Sequence, residues 1–177
     1  MSRGVQRWRV PMGFALAAIL VLAARPRPLG LMVGLPVAAM GLLVRGCAAG
    51  HIRKNDALAT GGPYRYTRNP LYLGSMLMAV GMVIAADSWL LAALAGLMLV
   101  AVYLPVIRQE EEFLAGRFGE DFAAYASQVP RLLPRWPRSN IRGGEFSPAL
   151  YMRHREYQAL LGFLAIAAVL IAKWKWM

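Results

Sequence analysis

The chain has 177 residues, 58% of which are hydrophobic, and its net charge is +11. Soluble domains are usually about 45–50% apolar, so this composition favours a single membrane domain. Cys47 is the one cysteine, which excludes an intramolecular disulfide, and no cysteine–histidine cluster suggests a metal site. The basic excess is mostly arginine and fits anionic head groups better than nucleic acid, because no base-reading helix or aromatic RNA platform is visible.

Two apolar segments open the chain. Residues 10–24 follow several arginines and are interpreted as a short first span or signal-anchor that is retained. The turn at 25–28, Arg-Pro-Arg-Pro, cannot continue a helix because its prolines lack the backbone N–H. A second helix is predicted over 29–46, with a kink at Pro36. Residues 1–46 therefore form two N-terminal helices.

The apolar segment 71–107 contains Asp87 as its single charged residue. As one helix it would be roughly 55 Å long, compared with roughly 30 Å for the hydrocarbon core of a bilayer. The segment must therefore fold back, and Asp87-Ser88 is the predicted tip. We expect a third helix over 71–86 and a fourth over 89–107, packed as an antiparallel hairpin.

The region after the hairpin is charged. A helix is predicted over 108–127 as a continuation of the fourth helix, with one broad apolar face. This face consists of Phe113, Leu114, Phe118, Phe122 and Tyr125. Prolines at 130, 134 and 137 predict an extended segment after it. The last apolar stretch, 157–172, predicts a fifth membrane-crossing helix, with an interfacial or partner-packing helix as the alternative.

The basic residues predict the sidedness of the protein in the membrane. Five spans would place the N-terminus, the loop 47–70 and the region 108–156 on the same side. These parts hold most of the arginines, so that side should be cytoplasmic. Within this single domain, residues 47–137 form the functional core, and 138–177 form a linker and a C-terminal helix. The expected fold is an all-α integral membrane protein with about five transmembrane helices.

Polar chemistry concentrates where the hairpin leaves the membrane. Asn69 precedes Pro70, a usual way to cap and start a helix, and free backbone N–H groups there favour an anionic group. Glu110, Glu111 and Glu112 stand at the matching end of the fourth helix. A bound molecule with a carboxylate, hydroxyls and a positive centre would satisfy both ends. The simpler interpretation is that the arginines are interfacial anchors and the acids form a solvated helix face.

Two blocks of the sequence are similar to the motifs of one family. Residues 50–74, GHIRKNDALATGGPYRYTRNPLYLG, match the pattern L-x-T-x-G-x-Y…R-H/N-P-x-Y-x-G. Residues 110–134, EEEFLAGRFGEDFAAYASQVPRLLP, are similar to E-E-x-x-L-x-x-x-F-G-x-x-Y-x-x-Y-x-x-x-V-P, with Phe122 in place of the first tyrosine. The blocks occur in the right order and spacing, with a hydrophobic hairpin between them. The chain thus resembles the membrane-embedded methyltransferases that include isoprenylcysteine carboxyl methyltransferases and phospholipid N-methyltransferases.

The resemblance implies that S-adenosyl-L-methionine binds between the two blocks, in a cytoplasmic C-terminal cofactor-binding region. The residues that would line its pocket are Gly50, His51, Tyr64, Arg68, Asn69, Pro70, Tyr72, Glu110 and Glu111. Asn69 and Arg108 are the candidate catalytic residues, and Arg108 would face the polar head of the substrate. No metal is implied.

The predicted function is methyl transfer to a lipid-like or isoprenoid-bearing substrate, similar to O-methylation of the isoprenylcysteine carboxyl group. The acceptor's tail would enter between helices from the bilayer, and the cofactor would enter from the cytoplasm. A phospholipid N-methyltransferase is an alternative, because Asn69 stands where many carboxyl methyltransferases of this family have histidine. Two further alternatives are an NADPH-dependent membrane double-bond reductase and a non-catalytic membrane scaffold.

Overall fold

The computed structural model describes residues 18–52, 57–136 and 144–176, and these residues contain helices and irregular segments but no strand. Helix α1 is described over 18–23. The elements that follow are α2 (Pro28–Ala49), a 3₁₀ turn (Gly62–Arg65), α3 (Pro70–Ala86), α4 (Trp89–Met98), a π turn (Leu99–Tyr103), α5 (Leu104–Gln128), α6 (Pro148–Arg153) and α7 (Tyr157–Trp176). The predicted all-α class is confirmed over the described residues.

Three helical segments are long and apolar enough to cross a membrane: Pro28–Ala49, Trp89–Gln128 and Tyr157–Trp176. Helix α3 is also apolar but has 17 residues, slightly fewer than the roughly 20 that usually span a bilayer. The predicted first span, 10–24, lies mostly outside the described residues. The helices therefore support an integral membrane protein, whereas the count of five spans and the cytoplasmic orientation stay predictions.

Helices α2 and α3 pack against each other through small residues. A Cβ atom added at Gly34 would lie 2.4 Å from the backbone nitrogen of Ala85, and one added at Gly81 would lie 2.3 Å from that of Ala38. The two backbones are therefore so close that only hydrogen fits at either glycine. Lipid is as apolar as a leucine side chain, so close van der Waals packing of this kind is what attracts helices to each other in a bilayer.

The α3–α4 hairpin has the predicted tip. Helix α3 ends at Ala86, and Asp87 follows in a left-handed conformation with φ of 48°. The Arg27 guanidinium lies 3.0 Å from the Asp87 carboxylate, and the backbone N–H of Arg25 donates to the carbonyl of Ala86 at 2.8 Å. The turn after α1 therefore contacts the hairpin tip, at the end of α3 opposite to Asn69.

Helices α4 and α5 belong to a helical segment of 40 residues, Trp89–Gln128, that contains one kink. The π turn at Leu99–Tyr103 joins the two helices. The helix is interrupted at Gly119, where φ is 50° and ψ is −118°. The predicted continuation of the fourth helix beyond residue 107 is confirmed, and it places Glu110 and Glu111 at the same end of the bundle as the start of α3.

A small apolar cluster covers the inner face of α5. Its buried members are Phe122, Tyr125 and Val129, and Leu114 and Phe118 pack against them. Phe113 was predicted on the same face, and this is wrong, because its side chain is 55% exposed. Successive helical residues are about 100° apart around the axis, so Phe113 and Leu114 cannot both point inward at the centre of the face.

The C-terminal segment packs back onto the N-terminal helices. Helix α7 has 20 residues, more than the predicted stretch 157–172, and its Leu170 is fully buried. The Lys173 ammonium donates to the carbonyl of Val21 at 2.8 Å. The segment before it contains the short helix α6, which the sequence patterns did not predict. Three prolines predicted an extended segment after α5, and one of them, Pro137, lies outside the described residues.

The α2–α3 contact leads to a stability prediction. Gly81→Val should lower the free energy of unfolding by about 3 kcal/mol, because the new side chain overlaps the backbone of α2. Gly96→Val is the control, since a Cβ atom there meets nothing within 4 Å. Thermal unfolding of the purified protein in detergent measures both. Equal melting temperatures for the two variants would contradict the close backbone contact.

Candidate functional site

The segment that leads into α3, residues 66–70, is here called the corner, and it is joined to α5 through a side-chain amide. Pro70 stands in the first turn of α3, and Asn69 stands at its N-cap position. The Asn69 side chain makes no cap hydrogen bond; its Nδ2 donates instead to Glu111 Oε1 at 3.1 Å and to the carbonyl of Arg131 at 2.9 Å. The predicted capping role of this side chain is therefore wrong, because the amide is engaged by another part of the chain.

Glu111 is the centre of a buried polar network. Its side chain is 8% exposed. Arg68 donates to it from Nε at 3.1 Å and from Nη2 at 3.4 Å, and Arg131 donates from Nε at 2.8 Å. A buried carboxylate is strongly unfavourable unless cations and hydrogen bonds surround it. With the Asn69 amide added, both oxygen atoms of Glu111 are satisfied by donors from two other segments.

The segment that follows α5 lies along the corner and is bonded to it through the backbone. The N–H of Arg68 donates to the carbonyl of Pro130 at 2.9 Å, and the N–H of Arg135 donates to that of Tyr66 at 3.0 Å. The Thr67 hydroxyl donates to the carbonyl of Arg131 at 3.2 Å. These bonds hold the corner in one conformation relative to α5, and they satisfy the polar backbone groups of two segments that have no regular structure.

Glu110 differs from Glu111 in its surroundings. It is half-buried, and its Oε2 accepts a hydrogen bond from the Tyr72 hydroxyl at 2.7 Å. Tyr103, the last residue of the π turn, packs edge-on against Tyr72 with ring centroids 6.0 Å apart. Within the described parts of the chain, Glu110 makes no ion pair. It is therefore a carboxylate whose charge is not neutralised by these residues.

The loop that contains Tyr64 lies near Glu110. Tyr64 is 6% exposed, and its backbone carbonyl accepts a hydrogen bond from the Tyr125 hydroxyl at 2.8 Å. Burial raises the pKa of the Tyr64 phenol far above its usual value, and the negative charge of Glu110 raises this pKa further. The phenol is therefore a neutral hydroxyl at every physiological pH.

Gly50 and His51 end α2 beside this loop. The His51 ring lies against Gly62, where a Cβ atom would be 2.5 Å from His51 Nε2 and where φ is 53°. His51 Nδ1 also lies 2.7 Å from the carbonyl oxygen of Cys47. Phe146 covers the other side of the His51 ring, with centroids 5.9 Å apart. The structure thus brings Gly50 and His51 to the Tyr64 loop rather than to the Glu111 network.

Arg108 is the predicted residue that stands apart. Its side chain is exposed on α5, and the described hydrogen bonds of the network do not include it. The other candidates fall into two groups. Asn69, Arg68 and Glu111 are hydrogen-bonded to one another, whereas Tyr72 is bonded to Glu110, whose charge acts on the buried Tyr64.

Sequence reasoning missed Arg131 and a second ionic cluster. Arg131 was one arginine among several in a charged region, so nothing singled it out. The second cluster pairs Arg45 of α2 with Glu156, which precedes α7, at 2.7 Å. A charged residue at the edge of an apolar segment is the signal that could have identified both members, since each needs a partner where the helix leaves the lipid.

Comparison with known proteins gives a family and several relatives. The model of the phospholipid methyltransferase family matches residues 30–121. The cobalt-zinc-cadmium resistance protein CzcN of Cupriavidus metallidurans is 36% identical over 135 residues, which are 72% of this chain and 62% of that protein. The nickel-cobalt-cadmium resistance protein NccN of Alcaligenes xylosoxydans xylosoxydans is 39% identical over 83 residues, 47% of this chain and 38% of that protein.

A third relative has a methyltransferase name. The protein-S-isoprenylcysteine O-methyltransferase of Schizosaccharomyces pombe is 31% identical over 84 residues, which are 48% of this chain and 36% of that protein. The chain therefore spans less than two-thirds of the length of each of these relatives. No solved structure matches the chain. Within the described residues, no group of three or more histidine, cysteine or acidic side chains could hold a metal ion.

The Glu111 network leads to a second stability prediction. Glu111→Ala should lower the free energy of unfolding by about 3 kcal/mol, because it leaves the buried Arg68 guanidinium without its counter-charge. Glu112→Ala removes the same charge from the next, exposed position and should have little effect. Chemical denaturation followed by circular dichroism compares the two variants, and equal midpoints would show that the network does not stabilise the fold.

Proposed function

The chain belongs to the phospholipid methyltransferase family, and we propose that it transfers a methyl group from S-adenosyl-L-methionine to a lipid-like or isoprenoid-bearing acceptor in the membrane. The observation that carries this proposal is the meeting of the Asn69-Pro70 corner with Glu110 and Glu111 at one end of the bundle. The Schizosaccharomyces pombe relative supports it, because that protein is named as an O-methyltransferase of an isoprenylated substrate.

Two features of the described residues fit the cofactor. The Nε atom of Arg65 is buried without a hydrogen-bond partner. A buried donor that lacks an acceptor costs about 1–3 kcal/mol, so a ligand carboxylate that accepts from it would be favoured. The unneutralised carboxylate of Glu110 fits the opposite need, since it attracts a positive centre or accepts from hydroxyl groups. A carboxylate, hydroxyls and a positive sulfur are the polar groups of S-adenosylmethionine.

The chain's own residues would act mainly by position. When bound, S-adenosylmethionine supplies an activated methyl group on a positively charged sulfur. Tyr64 and Tyr72 would form walls that exclude water, and Glu110 would hold the positive end of the cofactor. Glu111 was predicted to line the pocket, but four donor atoms occupy its oxygens, so we assign it the positioning of Arg68 and Asn69.

The proposed acceptor group is a carboxylate, as in isoprenylcysteine. A carboxylate attacks without losing a proton, so the site needs no base for it. The exposed Arg108 would attract the acidic head of this acceptor as it arrives at the membrane surface, which we propose to be the cytoplasmic one. A phospholipid amine is the second candidate, and Glu110 favours it, since a carboxylate with only the neutral Tyr72 as its described partner can accept the proton that an amine must lose.

Calorimetry tests cofactor binding directly. The purified protein should bind S-adenosylmethionine, and Glu110→Gln should weaken this binding about tenfold, which corresponds to about 1.4 kcal/mol, because the carboxylate opposite the positive sulfur is lost. Asn69→Ala should weaken it at least as much, because the corner loses its bond to Glu111. Glu112→Gln is the matched control and should bind like the unaltered protein. No binding by the unaltered protein would remove the proposed function.

A labelled methyl donor distinguishes the two acceptors. The protein is incubated with donor and with either N-acetyl-S-farnesylcysteine or phosphatidylethanolamine, and the lipid fraction is then treated with alkali. A methyl ester releases labelled methanol under these conditions, whereas an N-methyl group stays on the lipid. We expect volatile label with the farnesylcysteine. Label that appears only as alkali-stable phospholipid would establish the amine alternative.

A further inference from the structure

A second ionic cluster, which is partly buried, joins α2, α3 and the C-terminal segment. Arg45 donates from Nε to Glu156 Oε2 at 3.0 Å and from Nη2 to Oε1 at 2.7 Å, so the two side chains form a bidentate pair. Nη1 of the same guanidinium donates to the Ser75 hydroxyl. The side chains of Arg45 and Glu156 are 25% and 9% exposed. The guanidinium of Arg45 is therefore positioned to bind one carboxylate through two hydrogen bonds.

A glycine in α3 leaves space for the side chain of Arg45. A Cβ atom on Gly74 would lie 2.6 Å from Arg45 Cγ and 2.6 Å from the carbonyl oxygen of Gly41. The arginine stem therefore crosses α3 over the bare backbone of a glycine. Gly74 also ends the first of the two family-like sequence blocks, and Arg45 and Ser75 both lie within the residues 30–121 that the family model matches.

Glu156 comes from outside the matched residues. It belongs to the C-terminal segment, which is attached to the end of α2 by the N–H of Ser147 donating to the carbonyl of Gly50 at 2.9 Å. Nδ1 of His154 also lies 3.2 Å from the carbonyl oxygen of Ala49. The segment common to the family thus contributes the arginine and the serine, whereas the carboxylate is supplied by an additional part of this chain.

The cluster adjoins the proposed methyl-transfer site. Ser75, which Arg45 contacts, and Tyr72, which bonds Glu110, are three residues apart on α3, so their side chains lie on the same face of that helix. The negative charges of Glu110 and Glu156 also raise the pKa of the Tyr64 phenol, after the larger effect of burial. The phenol is therefore within electrostatic range of both carboxylates. Helices α2, α3 and α7, which surround the cluster, are all apolar. An acyl or isoprenoid tail that lay along them would bring its head group to Arg45.

We propose that Arg45 is the recognition site for the oxyanion of the acceptor, a carboxylate or a phosphate at the head of a lipid tail, and that Glu156 occupies this site when no acceptor is bound. The inference rests on the proposed methyl transfer, because Arg45 would bind the methyl acceptor, which is the substrate of that reaction besides S-adenosylmethionine. A partly buried guanidinium is stabilised by an anion, and exchanging one carboxylate for another oxyanion preserves both charge and bidentate geometry.

The test measures binding rather than turnover. Native mass spectrometry of the full-length protein in detergent compares N-acetyl-S-farnesylcysteine with its neutral methyl ester, and dioleoyl phosphatidic acid with dioleoylglycerol. Glu156→Gln keeps the shape of the side chain and releases Arg45 from its charged partner. We expect it to bind one of the two acids about tenfold more tightly than the unaltered protein does, with no change for the matching neutral lipid. The acid that responds identifies carboxylate or phosphate.

Two further variants separate recognition from a merely structural pair. In the double variant Arg45→Gln/Glu156→Gln no buried charge is left unpaired, and it should lose the preference for acid over neutral lipid. Glu145→Gln removes an exposed acid of the same segment and should behave like the unaltered protein. If Glu156→Gln does not fold, Glu156→Asp breaks the bidentate contact with the charge retained and should give a smaller gain of the same sign.

One outcome would reject the recognition site. A Glu156 variant with a lower melting temperature and unchanged preference between acid and neutral lipids would show that the pair only fastens α7, and the recognition site would be rejected. Calorimetry with S-adenosylhomocysteine runs alongside, and it should give the same affinity in the Glu156 variant and the unaltered protein. Absence of that binding in the unaltered protein would instead reject the proposed methyl transfer.

Discussion

One buried carboxylate constrains the site end of this protein. Glu111 is enclosed on α5, and it is tolerable there only because Arg68, Asn69 and Arg131 all reach it. These partners are 20 to 43 residues away along the chain. The start of α3, the middle of α5 and the segment after α5 must therefore be correctly placed at the same time. The hairpin tip, the backbone bonds along the corner and the aromatic cluster on α5 all serve that placement.

Two adjacent acids thus have opposite electrostatic roles. Glu111 is neutralised by the chain's own cations and binds segments to each other. Glu110 is turned towards Tyr72, with its charge left available among the described residues. A group of side chains that satisfy one another, next to a carboxylate whose charge is unmet, is the arrangement expected of a preorganised binding site, because the first group fixes the geometry of the second.

Much of this arrangement was visible in the sequence, for identifiable physical reasons. The hairpin followed from the length of segment 71–107 and the position of Asp87, since apolar helices have a fixed reach in a bilayer. The proximity of Asn69 to the acids followed from that hairpin. The partner of Arg131 and the pairing of Arg45 with Glu156 were not predictable, because pairing over long sequence separations depends on how helices pack and leaves no periodic pattern. The capping role expected of Asn69 failed because its amide nitrogen donates to a buried carboxylate and the side chain makes no bond to the backbone of α3.

The π turn at Leu99–Tyr103 determines which side of α5 the acids occupy. A π turn accommodates one residue more than an α-helical turn, so it behaves as a single-residue insertion that shifts the rotational phase of everything after it by about 100°. If this stretch were regular α-helix, Glu110 and Glu111 would emerge about a quarter-turn away from Tyr72 and Asn69. The rotational position of the acids around α5 is thus set inside the apolar part of the helix, whose last π-turn residue, Tyr103, packs against Tyr72.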